Sequence, residues 1–394
     1  MIDDIVIVSA VRTPVGRFGG SLKNLNSGSL GAIVIEEAIK RANLSPELID
    51  EVILGEVRQT TESSNVARVA ALRAGIPETT PAFTVNRLCA SGMQAVASAV
   101  QQISFGHAEI VVAGGTECLS RAPIYLRHSR FGEGAPTLVD SNLENGQQPI
   151  ELYGKNLGMG MTAENVAERY TVSREDQDEF AYNSQQKAAK AIERGRFKEE
   201  ITPVEIKERK KVFQVVEDEH PRPDTSLEVL AKLKPVFKDL GTVTAGNSCG
   251  RNDGAATMVM MKASKAKELG LKPLARIVDW ATAGVSPKVM GIGPVPAIEK
   301  LLARTNMTLP EIDLIELNEA FAAQALAVIR EAGLDQQKVN VNGGAIALGH
   351  PLGATGCKIM ITLLYEMRRR QVQYGMATLC VGGGQGMAVM LQLL

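Results

Sequence analysis

Hydrophobic positions fall along this chain with two periods. Apolar residues at Met93, Val96, Ala97, Val100 and Ile103 recur every three to four positions, which predicts one buried helix face. Gly106 follows and predicts where that helix stops. The next segment, "EIVVAGG" (109–115), opens on an unbroken apolar run at 110–113, the pattern of a strand buried on both faces. The N-terminal "MIDDIVIVSAVRTP" also reads as a strand. Its apolar run is short and lacks a basic start, so no signal peptide is predicted. Helices are predicted over 162–170 and 174–194, the second opened by Ser173 with Asp176 and Gln177 behind it. Strands alternating with helices predict a mainly parallel sheet covered by helices.

The pattern repeats. "RANLSPELIDEVILGE" begins at Arg41 and "RTNMTLPEIDLIELNE" at Arg304. Arg41, Asn43, Ile49, Asp50, Leu54 and Glu56 match Arg304, Asn306, Ile312, Asp313, Leu317 and Glu319, each pair 263 positions apart. Each copy reads as helix, turn and β-rich segment. A looser echo sets "ASG" (90–92) against "ATG" (354–356), and "EIVVAGG" against "ATLCVGG" (377–383), with Cys380 placed by Ala113. A period this long marks a duplicated α/β domain rather than a solenoid. The predicted halves are 1–120 with 245–272, and 273–394. The intervening 121–244 is richer in charge, glycine and proline and reads as an inserted loop domain, a length that is usually functional.

Composition narrows the class. The 394 residues are ample for a packed core, and a net charge of −1 gives no electrostatic footprint for nucleic acid. The mixed run "EIKERKK" (205–211) reads as a solvated edge strand or loop. No apolar stretch approaches the ~20 residues of a membrane span. Five cysteines without a CxxC pair suggest neither disulfide framework nor zinc site, and four histidines lack metal spacing. A reduced, cytoplasmic location is expected.

Four segments carry candidate chemistry. "NRLCASG" (86–92) puts Cys89 where an extended segment enters a helix, whose first-turn N–H groups favour a thiolate. "NGGAIALGHPLGATG" (342–356) holds His350 in a glycine-dense loop that is a poor place for a packing residue. "CVGGGQG" (380–386) holds Cys380, and "LNEAF" (317–321) holds Asn318. Glycine beside a reactive group lets the backbone approach a ligand and turn its N–H groups toward it.

Together with "SAVRTPVGRFGG", "GNSCGRNDGA" and "MGIGPVPA", these segments resemble the thiolase family along the whole chain. The resemblance implies a duplicated α/β fold of two βαβαβαββ-type halves with an inserted loop domain. It implies Cys89 as acyl-carrying nucleophile, His350 as its base and Cys380 as acid and base at the substrate's α-carbon. It further implies oxyanion sites built from His350 with a water on Asn318, and from the N–H groups of Cys89 and Gly382. By the same match Arg222 faces the nucleotide of coenzyme A, Phe237 and Ala245 line a pantetheine tunnel, Phe321 and Met159 close the acyl end, and Met290 of "MGIGPVPA" is a further binding residue that does not decide chain length. Two positions depart from the family pattern. Cys249 stands where a serine commonly contacts CoA, and Gly158 stands where short-chain acetoacetyl-CoA thiolases often carry histidine.

The expected activity is acetyl-CoA C-acetyltransferase, with CoA and acetyl-CoA as substrates, no permanently bound cofactor and no metal. The alternatives are a 3-ketoacyl-CoA thiolase of fatty-acid breakdown, a decarboxylating ketoacyl synthase, and a non-catalytic acyl-CoA binding protein. Small acyl-CoA molecules are the expected partners, without nucleic acid or membrane, in a homo-oligomer of two or four chains. Cys89 and Cys380 are expected in one pocket, where oxidation would be able to join them.

Overall fold

The structure is a computed structural model and describes residues 4–132, 134–208 and 211–394. Nine of its strands form one continuous path. The order is Leu314–Leu317, Tyr374–Val381, Gln385–Leu393, Ala275–Gly284, Ile5–Arg12, Asn252–Lys262, Ile110–Cys118, Glu51–Gly55 and Ala82–Val85. The path divides between Ala275–Gly284 and Ile5–Arg12, which touch only at Val6 with Arg276 and Ile7 with Ala275. On either side of that seam the strands come in the same relative order, so the repeat is a structural duplication.

Alternation along the strands builds a layered core. Ile5, Ile7, Val111 and Ala113 face one cluster, and Val6, Val8, Ile110 and Val112 face another. The first cluster also takes in Leu314, Leu379 and Val389 of the second half. Between the two halves it holds the helices Ser91–Ser104 and Leu352–Arg370. Outer helices Ser27–Arg41 and Val66–Arg73 cover the first half, and Pro294–Thr305 and Ala322–Glu331 cover the second. Every strand central to the sheet is therefore buried on both faces.

The matched residues perform matched tasks. Asn43 and Asn306 both take left-handed backbone where a helix ends, at φ 52° and 53°. Asp50 accepts from the N–H groups of Glu109 and Ile110, and Asp313 from those of Gln373 and Tyr374. Each aspartate thus anchors the start of the next strand.

Three expectations need correction. The sheet is mixed rather than mainly parallel: Glu51–Gly55 pairs in parallel with both neighbours and Leu314–Leu317 with Tyr374–Val381, but the other long pairs are antiparallel. Burial on both faces erases the alternation that would have distinguished the two. The helix expected at 162–170 runs from Met159 to Arg169, because Gly158 caps it in extended backbone and Gly160 is helical. The echo that placed Cys380 by Ala113 is out of register. Leu54 pairs with Gly114 and Leu317 with Thr378, so Cys380 is the counterpart of Thr116. The charged run at 205–211 lies in a two-stranded hairpin of Val204–Glu208 and Lys211–Val215. Glu205 and Lys207 are exposed there, while Arg209 and Lys210 fall outside the described residues.

The two central helices meet backbone to backbone. A Cβ on Gly92 would lie 2.8 Å from the Gly353 carbonyl oxygen, and one on Gly356 2.5 Å from the Met93 nitrogen. A Cβ on Gly115 would fall 1.9 Å from the same Gly353 oxygen. Gly115→Ala is therefore expected to lower stability by about 1–3 kcal/mol or more, read as a fall in Tm. Gly146→Ala, where nothing lies within 4 Å, should leave Tm unchanged.

Candidate active site

Cys89 sits at the tip of a strained turn. Leu88, just before it, has φ 46°, a left-handed conformation that a bulky side chain rarely adopts. Local hydrogen bonds hold it there. Asn86 Oδ1 accepts from the Leu88 N–H, while Ser91 Oγ accepts from the Arg87 N–H and donates to the Leu88 carbonyl. The helix Ser91–Ser104 begins two residues beyond the thiol.

His350 comes from the other half. Its backbone N–H donates to Asn252 Oδ1 at 2.9 Å, and its Nδ1 lies 2.6 Å from Thr355 Oγ1. The Thr355 hydroxyl donates to the Pro351 carbonyl, so it must accept from the histidine. That assigns the ring proton to Nδ1 and leaves Nε2 as the basic nitrogen. Nε2 is buried and has no partner among the described residues. Gly349 precedes it at φ 89°, and a Cβ there would lie 2.6 Å from the Asn252 amide.

Both residues line one cavity of about 780 Å³, with Gly382, Cys249, Met159, Met290, Phe237 and Phe321 on its walls. The Gly382 N–H favours the charged form of the Cys89 sulfur. Cys380 lies behind the wall, wholly buried against Met290, Phe321 and Ala320. Asn318 is also buried, and neither oxygen nor nitrogen of its amide has a partner among the described residues. Phe237 meets Phe321 edge to face at 6.3 Å. Gly160 makes room for it, since a Cβ there would fall 2.2 Å from the ring. Arg222 and Ala245 are exposed and lie outside the cavity walls.

Burial sets the charge states. It is the largest influence on Cys89 and raises the thiol, against the opposing pull of the Gly382 and Cys89 N–H groups. Burial, assisted by the Lys358 charge, lowers His350 to about 3. The resting pair is therefore a thiol beside a neutral imidazole. Burial and then the nearby Cys89 push Cys249 up to about 12. Cys380 rises for the same reasons, with Cys249 adding to Cys89.

Several site residues escaped the sequence reading. Glu117 is buried and accepts from the N–H groups of Val57, Arg58 and Gly353, so one carboxylate ties both halves together near Cys89. Thr355, Asn252 and Arg58 were also missed. The internal repeat offered one signal, since Thr355 stands opposite Ser91 in the echoed "ATG" and "ASG".

A family model of the thiolase N-terminal domain matches residues 5–264, and one of the thiolase C-terminal domain matches residues 271–393. The chain belongs to the thiolase family. It is 52% identical to an acetyl-CoA acetyltransferase of Cupriavidus necator, covering 99% of each chain. A crystal structure of the Bacillus anthracis acetyl-CoA acetyltransferase superposes with a TM-score of 0.97 at 49% identity, over 100% of this chain and 99% of that one. Human mitochondrial 3-ketoacyl-CoA thiolase in complex with CoA superposes at 0.94 with 44% identity, over 100% of this chain and 98% of the other. The duplicated architecture described above is thus the thiolase fold.

A raised thiol and a lowered imidazole fix the sign of a pH experiment on this thiolase. Alkylation of Cys89 by iodoacetamide, without substrate, should keep accelerating as pH rises past the value of an ordinary thiol. A rate that levels off below pH 8 would instead mark a thiolate–imidazolium pair.

Proposed function

We propose that this thiolase is an acetyl-CoA C-acetyltransferase that works through an acyl group on Cys89. The observation that carries the reading is the convergence, in one cavity, of a thiol, an unpartnered imidazole nitrogen and the Gly382 N–H, with a second thiol behind the wall. His350 Nε2 takes the Cys89 proton as the sulfur attacks the acetyl thioester, and CoA departs with a proton. The N–H groups of Gly382 and Cys89 stabilise the oxyanion of this step. Each such donor contributes about 3 kcal/mol in comparable sites. Cys380 then removes a proton from the methyl group of a second acetyl-CoA. The enolate oxygen is held by His350 and by a water on Asn318, whose unpaired buried amide suits that task. The carbanion attacks the acetyl group, Cys89 leaves, and acetoacetyl-CoA forms. Condensation is uphill, so thiolysis is the same path reversed.

Coenzyme A enters, in this reading, across the inserted region 121–244, with Phe237 and Cys249 against the pantetheine and Arg222 toward the nucleotide. The weak hydrogen-bonding capacity of Cys249 lowers the contribution of that contact. Gly158 lines the cavity beside Asn145 and adds no side chain, which favours a second reading in which longer 3-ketoacyl chains are also cleaved. A reducing, cytoplasmic compartment is the proposed location, a reading that the five free cysteines support. Self-association is supported by the edge strand Ala82–Val85 and by Ile124, Leu126 and Leu138, exposed on a surface hairpin.

The test is CoA-dependent cleavage of 3-ketoacyl-CoA thioesters from acetoacetyl-CoA upward. Acetoacetyl-CoA should be cleaved, and Cys380→Ala should lower the rate at least a hundredfold while Cys89 still accepts an acetyl group. No cleavage of any member would favour a binding protein instead.

A further inference from the structure

Arg58 is a cation that the chemistry above does not use. It lines the cavity that holds Cys89, and its guanidinium makes no hydrogen bond or ion pair with any described residue. Its Nε is fully buried and unpartnered. Glu117 feels the Arg58 charge, but its oxygens already accept from three N–H groups, including the backbone N–H of Arg58 itself. A half-buried guanidinium whose Nε is shut off from solvent and unpartnered gains by meeting an anion in a ligand cavity.

The position distinguishes which anion. The other charged residues on the cavity wall are Lys155 and Arg251, both exposed, and no acidic residue lines it among the described residues. Those two are open to the phosphates of a nucleotide at the entrance. Arg58 is half-buried and lines the cavity together with Leu88, Leu119, Phe237 and Phe321. Asn145 and Gln147 share the cavity, and Gln147 Oε1 is buried there without a partner among the described residues. A purely aliphatic acyl chain offers neither Arg58 Nε nor Gln147 a partner.

We propose that Arg58 recognises the far end of the acyl group, and that the enzyme takes 3-oxoacyl-CoA thioesters whose chain terminates in a carboxylate. This rests on the thiolase reading of the cavity and names a substrate class for it. The terminal carboxylate pairs with the guanidinium, and the amides of Asn145 and Gln147 donate to it. The reaction is unchanged. The Cys89 sulfur bonds to the 3-oxo carbon and the C2–C3 bond breaks. Its electron pair becomes the enolate of acetyl-CoA, which Cys380 protonates. The thiol of free CoA then takes the carboxyacyl group from Cys89. The products are acetyl-CoA and a dicarboxylic monothioester two carbons shorter, and Arg58 binds without exchanging a proton.

The experiment measures kcat/KM for CoA-dependent cleavage of paired substrates of equal carbon number, one ending in a methyl group and one in a carboxylate. The spacer is lengthened one methylene at a time. The wild-type enzyme should prefer the carboxylate at its best spacer length by tenfold or more. Arg58→Leu should erase that ratio, and Arg58→Lys should retain part of it, since a point charge replaces a bidentate fork. Equal rates for both members of every pair, or cleavage of the neutral series alone, would overturn the proposal and leave the thiolase reading standing. So would a loss in Arg58→Leu that is equal for both classes and follows the KM for CoA. Cleavage of neither class would remove the thiolase reading and this proposal together.

Discussion

The active site depends on one close contact. The first turns of the two central helices, Ser91–Ser104 and Leu352–Arg370, approach at Gly92, Gly353 and Gly356, where a methyl group would meet backbone atoms at under 3 Å. Cys89 precedes one helix and His350 the other. Neither half contains both residues, so the proposed nucleophile and base exist as a pair only because two copies of one fold press these two ends together. The same contact explains why the small-residue echo of "ASG" and "ATG" sits where it does.

Buried polar groups hold this junction rigid. Glu117 fastens the loop at Val57 and Arg58 to the start of the second helix at Gly353. Thr355 orients the imidazole and Asn252 holds the His350 backbone. Further out, Arg12 joins the first strand to the inserted region through Glu200 at 2.6 Å and Asp218 at 2.7 Å. Burial works against the Asp218 carboxylate, but Arg12 outweighs it and holds that group below its ordinary range. The outcome is a site that keeps thiol and imidazole neutral at rest and assembles charge only as substrate arrives. In the proposed mechanism the Gly382 and Cys89 N–H groups serve as preorganised oxyanion donors, so little reorganisation accompanies reaction.

Much of this was legible in the chain. The helical stripe from Met93, the exact 263-residue repeat and the serine-capped helix Arg174–Glu193 all rest on local patterns that the fold preserves. Strand direction was not legible, because residues buried on both faces carry no alternation to read. The register of Cys380 was lost for a related reason: paired glycines recur in both halves at places the sheet does not equate. Asn318 illustrates how duplication hides function. Its counterpart Gly55 must be glycine, since a Cβ there would lie 2.4 Å from the Ser91 backbone, whereas the second half leaves room for an amide. Glu117, Asn252 and Arg58 act across long sequence separations and have no local signature.

The central claim is that Cys89 alone among three neighbouring thiols carries the acyl group. Incubating the protein with acetyl-CoA, quenching in acid and mapping the peptides by mass tests it directly. The account predicts one added acetyl group, confined to the peptide containing Cys89 and absent from Cys89→Ala. Acetyl on Cys249 or Cys380, or on no cysteine at all, would contradict it.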